Sequence, residues 1–553
     1  MRYSSPLIAS ALLSSLLVLS ACSVNVDTDL SVDNDSEEKT ALSEMALALE
    51  STDIATIRAK YEAGEWTSEQ VVSAYLERID SLNGDINAII ALNPDALDVA
   101  RTLDAERADG NIRGSLHGIP VLVKDNIETA DNMPTTAGSL ALKDNFAGRD
   151  APLIANLRAE GAIILGKTNL SEWANFRDYD SISGWSAIGG QTRNPHYLDR
   201  SPCGSSSGSG AAMAASFAAA TIGTETDGSI ICPANANGVV GFKPTLGLIS
   251  RTYVVPIAIT QDTAGPITKT VMDAALMASA MAGSDENDPA THHADARKSD
   301  LTAGLNPDAL SGLRIGALHV ATGNDSRVKA LFEENLDLLE KAGAMIVDIE
   351  DYEQNPTLWA DEFEVLKYEF KASLNDYLAS TPNNISVRSM EDLIAFNDKT
   401  PRELALFDQR IMRDSVSMGG LDDPKYLEAL ARLKKTTREE GIDKMLNDYE
   451  VDILVTPSMM PAFLIEPVYG DQFIGGTGWT GMAAIAGYPH LTVPMGDIRG
   501  LPIGLSFIGG KWQDGKVLQA GYAYEQASQK RMTPGFMSAT HEMPEIKAAQ
   551  EKF

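Results

Sequence analysis

Between Pro202 and Ser229 the chain reads Pro-Cys-Gly-Ser-Ser-Ser-Gly-Ser-Gly, then a run of small residues, then Thr-Ile-Gly-Thr-Glu-Thr-Asp-Gly-Ser. The hydroxyls of Ser205, Ser206, Ser207, Ser209 and Ser229 are candidate nucleophiles and proton relays. A serine hydroxyl becomes nucleophilic near neutral pH only beside a base. Glycine-rich loops expose backbone N–H groups that can hold a developing anion, so one stretch could supply both nucleophile and oxyanion hole. The candidate base is Lys124, which follows the apolar run Gly-Ile-Pro-Val-Leu-Val at 118–123. Lysine serves as a base when burial lowers its pKa enough to populate the neutral amine. Taken alone, a lysine at a strand end is more simply a solvated one.

Three readings of the Ser/Gly stretch compete. A flexible linker is disfavoured, because the run opens a compact Ala-rich segment rather than polar sequence. A nucleophile elbow centred on Ser206, within Gly204-Ser205-Ser206-Ser207-Gly208, needs an apolar strand immediately before it. Asn194 to Pro202 cannot form one, and nothing marks His490 or His541 as the partner histidine. The third reading is a serine–lysine hydrolase.

Here several motifs converge. Lys124 after its apolar run, the Gly-Ser-Ser-x-Gly-Ser-Gly loop and Asp-Gly-Ser at 227–229 resemble the amidase signature family. So do Gly166-Lys167-Thr168-Asn169, Gly241-Phe242-Lys243-Pro244-Thr245 and Gly504-Leu505-Ser506-Phe507, in the same order. The likeness runs from about Thr67 to about Gln526. It implies Ser229 as nucleophile, Ser205 as bridging serine after a cis Gly204–Ser205 bond, and Lys124 as base. It places the oxyanion hole on the backbone N–H groups of Thr226, Asp227, Gly228 and Ser229. The implied reaction is hydrolysis of a carboxamide to carboxylate plus ammonia through an acyl-enzyme, with no metal and no organic cofactor. Two departures stand out: Cys203 and Ser207 replace family glycines, and Asp227 stands where a glycine is common. Asp227 must therefore accept an unusual backbone conformation, or the loop differs slightly. Cys-Gly-Ser-Ser-Ser-Gly-Ser-Gly with Glu-Thr-Asp-Gly-Ser resembles the peptide-amidase branch, whose members act on peptide C-terminal amides. The alternatives are an inactive binding lipoprotein of the same fold and a glutaminase-type, amidotransferase A-like subunit.

The surrounding elements predict an α/β class: a single large α/β/α domain with a central mixed sheet covered by helices. Glu50 to Leu82 reads as helical, with Thr67 and Gln70 forming a capping box. Leu153–Arg158 and Val271–Met281 read as helices, and Ser209 to Ala220 as a tightly packed one. Ala162–Leu165, Leu313–Leu318, Val451–Pro457, Leu491–Val493 and Ile503–Phe507 read as strands. From 355 to 450 the chain is largely helical, with Phe363, Leu366, Phe370, Leu374 and Tyr377 on one face. That face reads as core, with a substrate-selecting lid as the alternative. Trp185, Phe473, Trp479 and Tyr488 are candidate pocket linings, or core. His292 and His293 lack a third ligand at a suggestive spacing and read as solvated loop, so no metal site is expected.

The 553 residues carry 45 basic and 77 acidic side chains, a net charge of −32. Such a surface repels phosphate backbones, so nucleic acid is disfavoured and the expected partner is a small-molecule or peptide amide. Arg2, an apolar run from Leu7 to Leu19 and Leu19-Ser20-Ala21-Cys22 predict a lipoprotein signal peptide over 1–21, with Cys22 lipidated. An ordinary cleaved signal is the alternative. An acidic tether over 22–45 and an amidase domain over 46–545 would follow. Ser23 after the cysteine favours the outer membrane, with membrane contact only through the lipid. The chain would act as monomer or homodimer. Cys203 and Cys232 could pair in an oxidising compartment or stay as thiols.

Overall fold

The computed structural model describes residues 42–552. The expected signal peptide, Cys22 and most of the expected tether lie outside the described residues. From Leu42 onward the chain forms one compact unit.

Its centre is an 11-stranded sheet. In spatial order the strands are Ile89–Leu92, Ile163–Thr168, Pro120–Lys124, Ala220–Glu225, Thr263–Thr268, Val240–Lys243, His490–Ile498, Leu501–Ile508, Ile453–Pro457, Arg314–Leu318 and Met345–Ile349. The strand ending in Lys124 runs parallel to both neighbours, with Val123 opposite Ile222 and Lys124 opposite Thr168. The four strands beyond, from Thr263–Thr268 through Leu501–Ile508, pair antiparallel, and Arg314–Leu318 runs parallel to both of its neighbours. This is the expected mixed sheet. Strands buried on both faces read as continuous apolar runs, as at 120–123.

Helices cover the sheet. One core cluster joins Val121, Val123, Ile163 and Ile222 to Leu153, Leu157 and Met277 from helices Pro152–Ala159 and Val271–Met281. Another joins Ile315, Ile453, Leu491 and Phe507 to Phe332 and Leu336 from helix Ser326–Lys341 and Leu518 from helix Asp514–Ser528. The Thr67–Gln70 capping box forms, but it opens a second helix, Ser68–Ile86; the first, Ile54–Glu62, ends before Gly64, whose φ is +69°. Among the described residues no helix is long and apolar enough to cross a membrane.

The small-residue segment departs from expectation. The helix occupies Ser207–Ala214, and Ala220–Glu225 is a buried strand rather than helix end and loop. The cause is the pairing of Thr221 to Glu225 against Ile267 to Thr263 across the sheet, which a local reading of small residues does not reveal. Close packing itself is as expected. A Cβ on Gly208 would lie 2.5 Å from the carbonyl oxygens of both Ala88 and Asn169.

Candidate active site

Lys124 ends its strand wholly buried. Its Nζ lies 2.8 Å from Ser205 Oγ, 2.9 Å from Thr224 Oγ1 and 3.3 Å from the Thr224 carbonyl oxygen. Thr224 is within reach because its strand is the parallel neighbour of the lysine's. Burial pulls the Lys124 pKa down to about 7, only partly opposed by the charges of Asp262 and Glu225. Near neutral pH the amine therefore exists in both protonation states.

The structure separates the five serines. Ser206 donates to the Thr224 carbonyl at 3.0 Å, Ser207 to that of Cys203 at 2.6 Å, and Ser209 to that of Ile222 at 3.0 Å. Ser206 and Ser209 thus hold the loop and helix onto strand Ala220–Glu225, and Ser207 ties the helix start back to its own loop. Ser205, after a cis Gly204–Ser205 bond, faces Lys124. Ser229 lines a cavity of about 430 Å³. The Ser206 N–H donates to the Ser229 carbonyl at 3.2 Å, locking the two loops together. Ser206 is thus a structural residue, and His490, buried 2.6 Å from Ser506 Oγ, belongs to a separate network.

The loop carrying Ser229 is shaped by Glu225. Its Oε2 accepts the N–H groups of Ile230 at 2.8 Å and Ile231 at 3.1 Å, with Gly228 N–H also directed at the carboxylate. The left-handed φ of +73° falls on Gly228, so Asp227 needs no unusual backbone. Thr226, Asp227, Gly228 and Ser229 all border the cavity. A disulfide joins Cys203 to Cys232, with Cα atoms 5.8 Å apart, and both residues border the cavity too. It staples the loop of Ser205 to the start of helix Ile231–Ala236.

Of the expected pocket aromatics, Phe473 borders the cavity and is exposed. Trp185 and Trp479 do not border it. Trp185 packs edge-on against Phe407 with centroids 5.2 Å apart and lies by the Arg177 guanidinium. Trp479 is core, edge-on to Tyr352 at 4.9 Å. Tyr488 is core as well, its hydroxyl donating to Asp443 at 2.8 Å. Helix Leu358–Ser380 is divided in use. Phe370, Leu374 and Tyr377 are core, Glu362 and Phe363 reach the cavity, and Leu366 belongs to both. Sequence reasoning missed Glu362, Asn175, Tyr179, Tyr469, Asp471 and Thr480. Phe363 and Leu366 were visible as one helical face, but nothing local marked Tyr179 or Tyr469.

A buried lysine, a serine it touches and a second serine in a cavity wall are the parts that a serine hydrolase with a lysine base requires. The comparisons make this specific. The chain matches the Amidase family over residues 70–518, and it belongs to that family. It is a serine amidase, an enzyme that hydrolyses amide C–N bonds, and a Ser-Ser-Lys triad is characteristic of the family. It is similar to the native peptide amidase from Stenotrophomonas maltophilia, with 48% identity and a TM-score of 0.83 over 88% of this chain and 99% of that one. A probable amidase of Arabidopsis thaliana is 37% identical over 503 residues, 89% of this chain and 93% of that protein. A glutamyl-tRNA(Gln) amidotransferase subunit from Thermoanaerobacter pseudethanolicus is 34% identical over 499 residues, 88% and 99% of the two chains.

Proposed function

We propose that Ser229 is the nucleophile, Ser205 the proton relay and Lys124 the base of an amidase that converts a carboxamide to carboxylate and ammonia. The observation that carries this is the 2.8 Å contact between Lys124 Nζ and Ser205 Oγ inside a shell that excludes solvent. The amine's two other contacts are oxygens of Thr224, both of which can accept its protons. In the neutral amine the lone pair is then left for Ser205. Lys124 takes the Ser205 proton as Ser205 takes that of Ser229, and Ser229 attacks the carbonyl carbon. The oxyanion is held by backbone N–H groups of the 226–229 loop; losing one such donor typically costs on the order of 10²–10³ in rate. The protons return through Ser205 to the leaving nitrogen, ammonia departs, and water resolves the ester by the same relay.

We further propose that the substrate is an amidated peptide. The resemblance to peptide amidase supports this, as does a cavity whose mouth carries the exposed aromatic side chains of Tyr179, Tyr469 and Phe473. Such surfaces suit peptide side chains. The net charge of −32 argues against a tRNA-borne substrate. Ammonia release from amidated peptides, aliphatic amides, aryl amides and glutamine tests the reading. Preference for glutamine would replace it with the amidotransferase-type one.

The proposed setting is outside the cytoplasm, with the chain anchored by lipid on Cys22 and acting as monomer or homodimer. The signal-like sequence over 1–21 supports this, and a disulfide fits an oxidising compartment. Palmitate labelling of wild type but not Cys22→Ser is expected; equal labelling would remove the anchor.

A further inference from the structure

The cavity beside Ser229 holds chemistry that the relay does not use. Asp178, Asp180, Asp227, Glu362 and Asp471 all line it, and none of its lining residues is Lys, Arg or His. Three of these carboxyls are already engaged. Asp178 and Asp180 each lie 2.5 Å from Arg410, and Asp471 accepts the N–H of Ser183 at 3.0 Å and its hydroxyl at 2.5 Å.

Asp227 and Glu362 face each other beside Ser229, each held by one neutral side chain, Thr480 and Gln261. Asp227 precedes the nucleophile by two residues, and Glu362 comes from helix Leu358–Ser380, only 2% exposed. Gln261 Nε2 donates to Glu362 Oε1 at 2.9 Å and to the Thr226 carbonyl at 3.2 Å, tying that helix to the nucleophile loop. Asp227 Oδ1 is buried without a hydrogen-bond partner among the described residues. The same holds for Oδ1 of Asn175, another lining residue, whose amide nitrogen donates to Ser183 at 3.2 Å. Buried acceptors without donors are uncommon in folded proteins, and here they stand in the wall of a substrate cavity. The complementary ligand brings N–H groups.

We infer that Asp227 and Glu362 form an amide-reading pair, accepting N–H groups of the substrate's carboxamide end and repelling the carboxylate of the hydrolysed product. This rests on the carboxamide reading above and extends it to how amide is told from acid. Two carboxyls sharing one desolvated wall do not both ionise readily. Burial, then the charge of Glu225, pushes Asp227 up to about 7; burial, then Asp227, pushes Glu362 well above its ordinary value. The other polar groups set against them are Glu225, Gln261 and Thr480. A carboxamide meets acceptors there, whereas a carboxylate adds a second negative charge where little water screens it. Discrimination of this kind works by penalising the wrong ligand as much as by holding the right one.

The test uses a neutral N-acylated dipeptide amide as substrate and the matching free acid as inhibitor, with wild type, Asp227→Asn and Glu362→Gln. Fluorophosphonate labelling of each variant reports an intact site. The wild-type acid is expected to inhibit weakly. Asp227→Asn, which removes the pair's charge, is expected to tighten acid inhibition by about tenfold; Glu362→Gln, which replaces a protonated carboxyl by another neutral group, is expected to leave acid inhibition weak; each is expected to raise KM for the amide several-fold. Acid inhibition unchanged in labelling-competent Asp227→Asn, or a wild-type acid bound as well as the amide, overturns the inference. If Asp227→Asn fails to label, Asp227→Ser, which also removes the charge, decides in its place. If wild type turns over other amides but no peptide amide, the substrate reading falls alone. The same comparison, run with whichever amide is hydrolysed, still decides the carboxyl pair.

Discussion

Lys124 Nζ and Ser205 Oγ, 81 positions apart in the chain, lie 2.8 Å apart in a buried site, with Thr224 taking the amine's other contacts. In the proposed relay, this contact gives the lysine one hydroxyl to deprotonate and makes Ser205 its route toward Ser229.

The first prediction concerns pH. With the Lys124 pKa lowered to about 7, the amine is protonated and unable to accept a proton below that value, and free to do so above it. The kcat/KM profile is expected to rise through about pH 7 and level off above, losing about tenfold per unit on the acid side. Asp227 titrates in the same range, so the rise must persist in Asp227→Asn. Lys124→Arg should be inactive throughout, since a guanidinium does not deprotonate in proteins. A flat profile in wild type would remove lysine from the relay.

Thr224→Val tests how the amine is held. It removes a buried acceptor shared by Lys124 and by Asn126 Nδ2, which donates at 3.0 Å. Leaving such groups unsatisfied costs about 1–3 kcal/mol. Because Thr224 does not border the cavity, kcat should fall with KM unchanged. Steady-state kinetics and a melting curve on one preparation check both halves.

Breaking the Cys203–Cys232 disulfide, by double substitution to Ser or by reductant, should lower stability and activity together. The bond closes a loop with a separation of 29 residues, for which chain entropy gives about 3–4 kcal/mol. Both cysteines border the catalytic cavity, so relaxation of the loops reaches Ser205 and Ser229. Denaturant unfolding with and without reductant measures the first effect, and amide turnover the second.

Gly208→Ala should be poorly tolerated although it adds one methyl group. The new Cβ would press on two backbone carbonyls that the neighbouring strand and loop cannot readily withdraw. Overpacking of this kind costs about 1–3 kcal/mol. A melting temperature equal to wild type would show that the helix can shift away.

Much of this was legible in order along the chain. Lys124 at the close of an apolar run, the Ser/Gly loop and the Asp-Gly-Ser turn are local signals, because strand burial and tight turns impose residue types directly. The capping box at Thr67 and Gln70 was legible for the same reason. Nothing local marks Val240–Lys243, Thr263–Thr268 and Met345–Ile349 as strands. Each is only four to six residues long, and so short a run does not announce which ladder it joins.

The sequence by itself determined the chemistry available: which hydroxyls, which amine, which glycines, and a family order of motifs that binds them to one reaction. Only the tertiary structure decided which serines are spent on backbone carbonyls, that Trp185 and Trp479 are core while Phe473 meets the cavity, and that Glu362 faces the loop of Asp227. Those outcomes depend on distances between segments remote in the chain and on the water removed between them. Residue types and spacing carry neither.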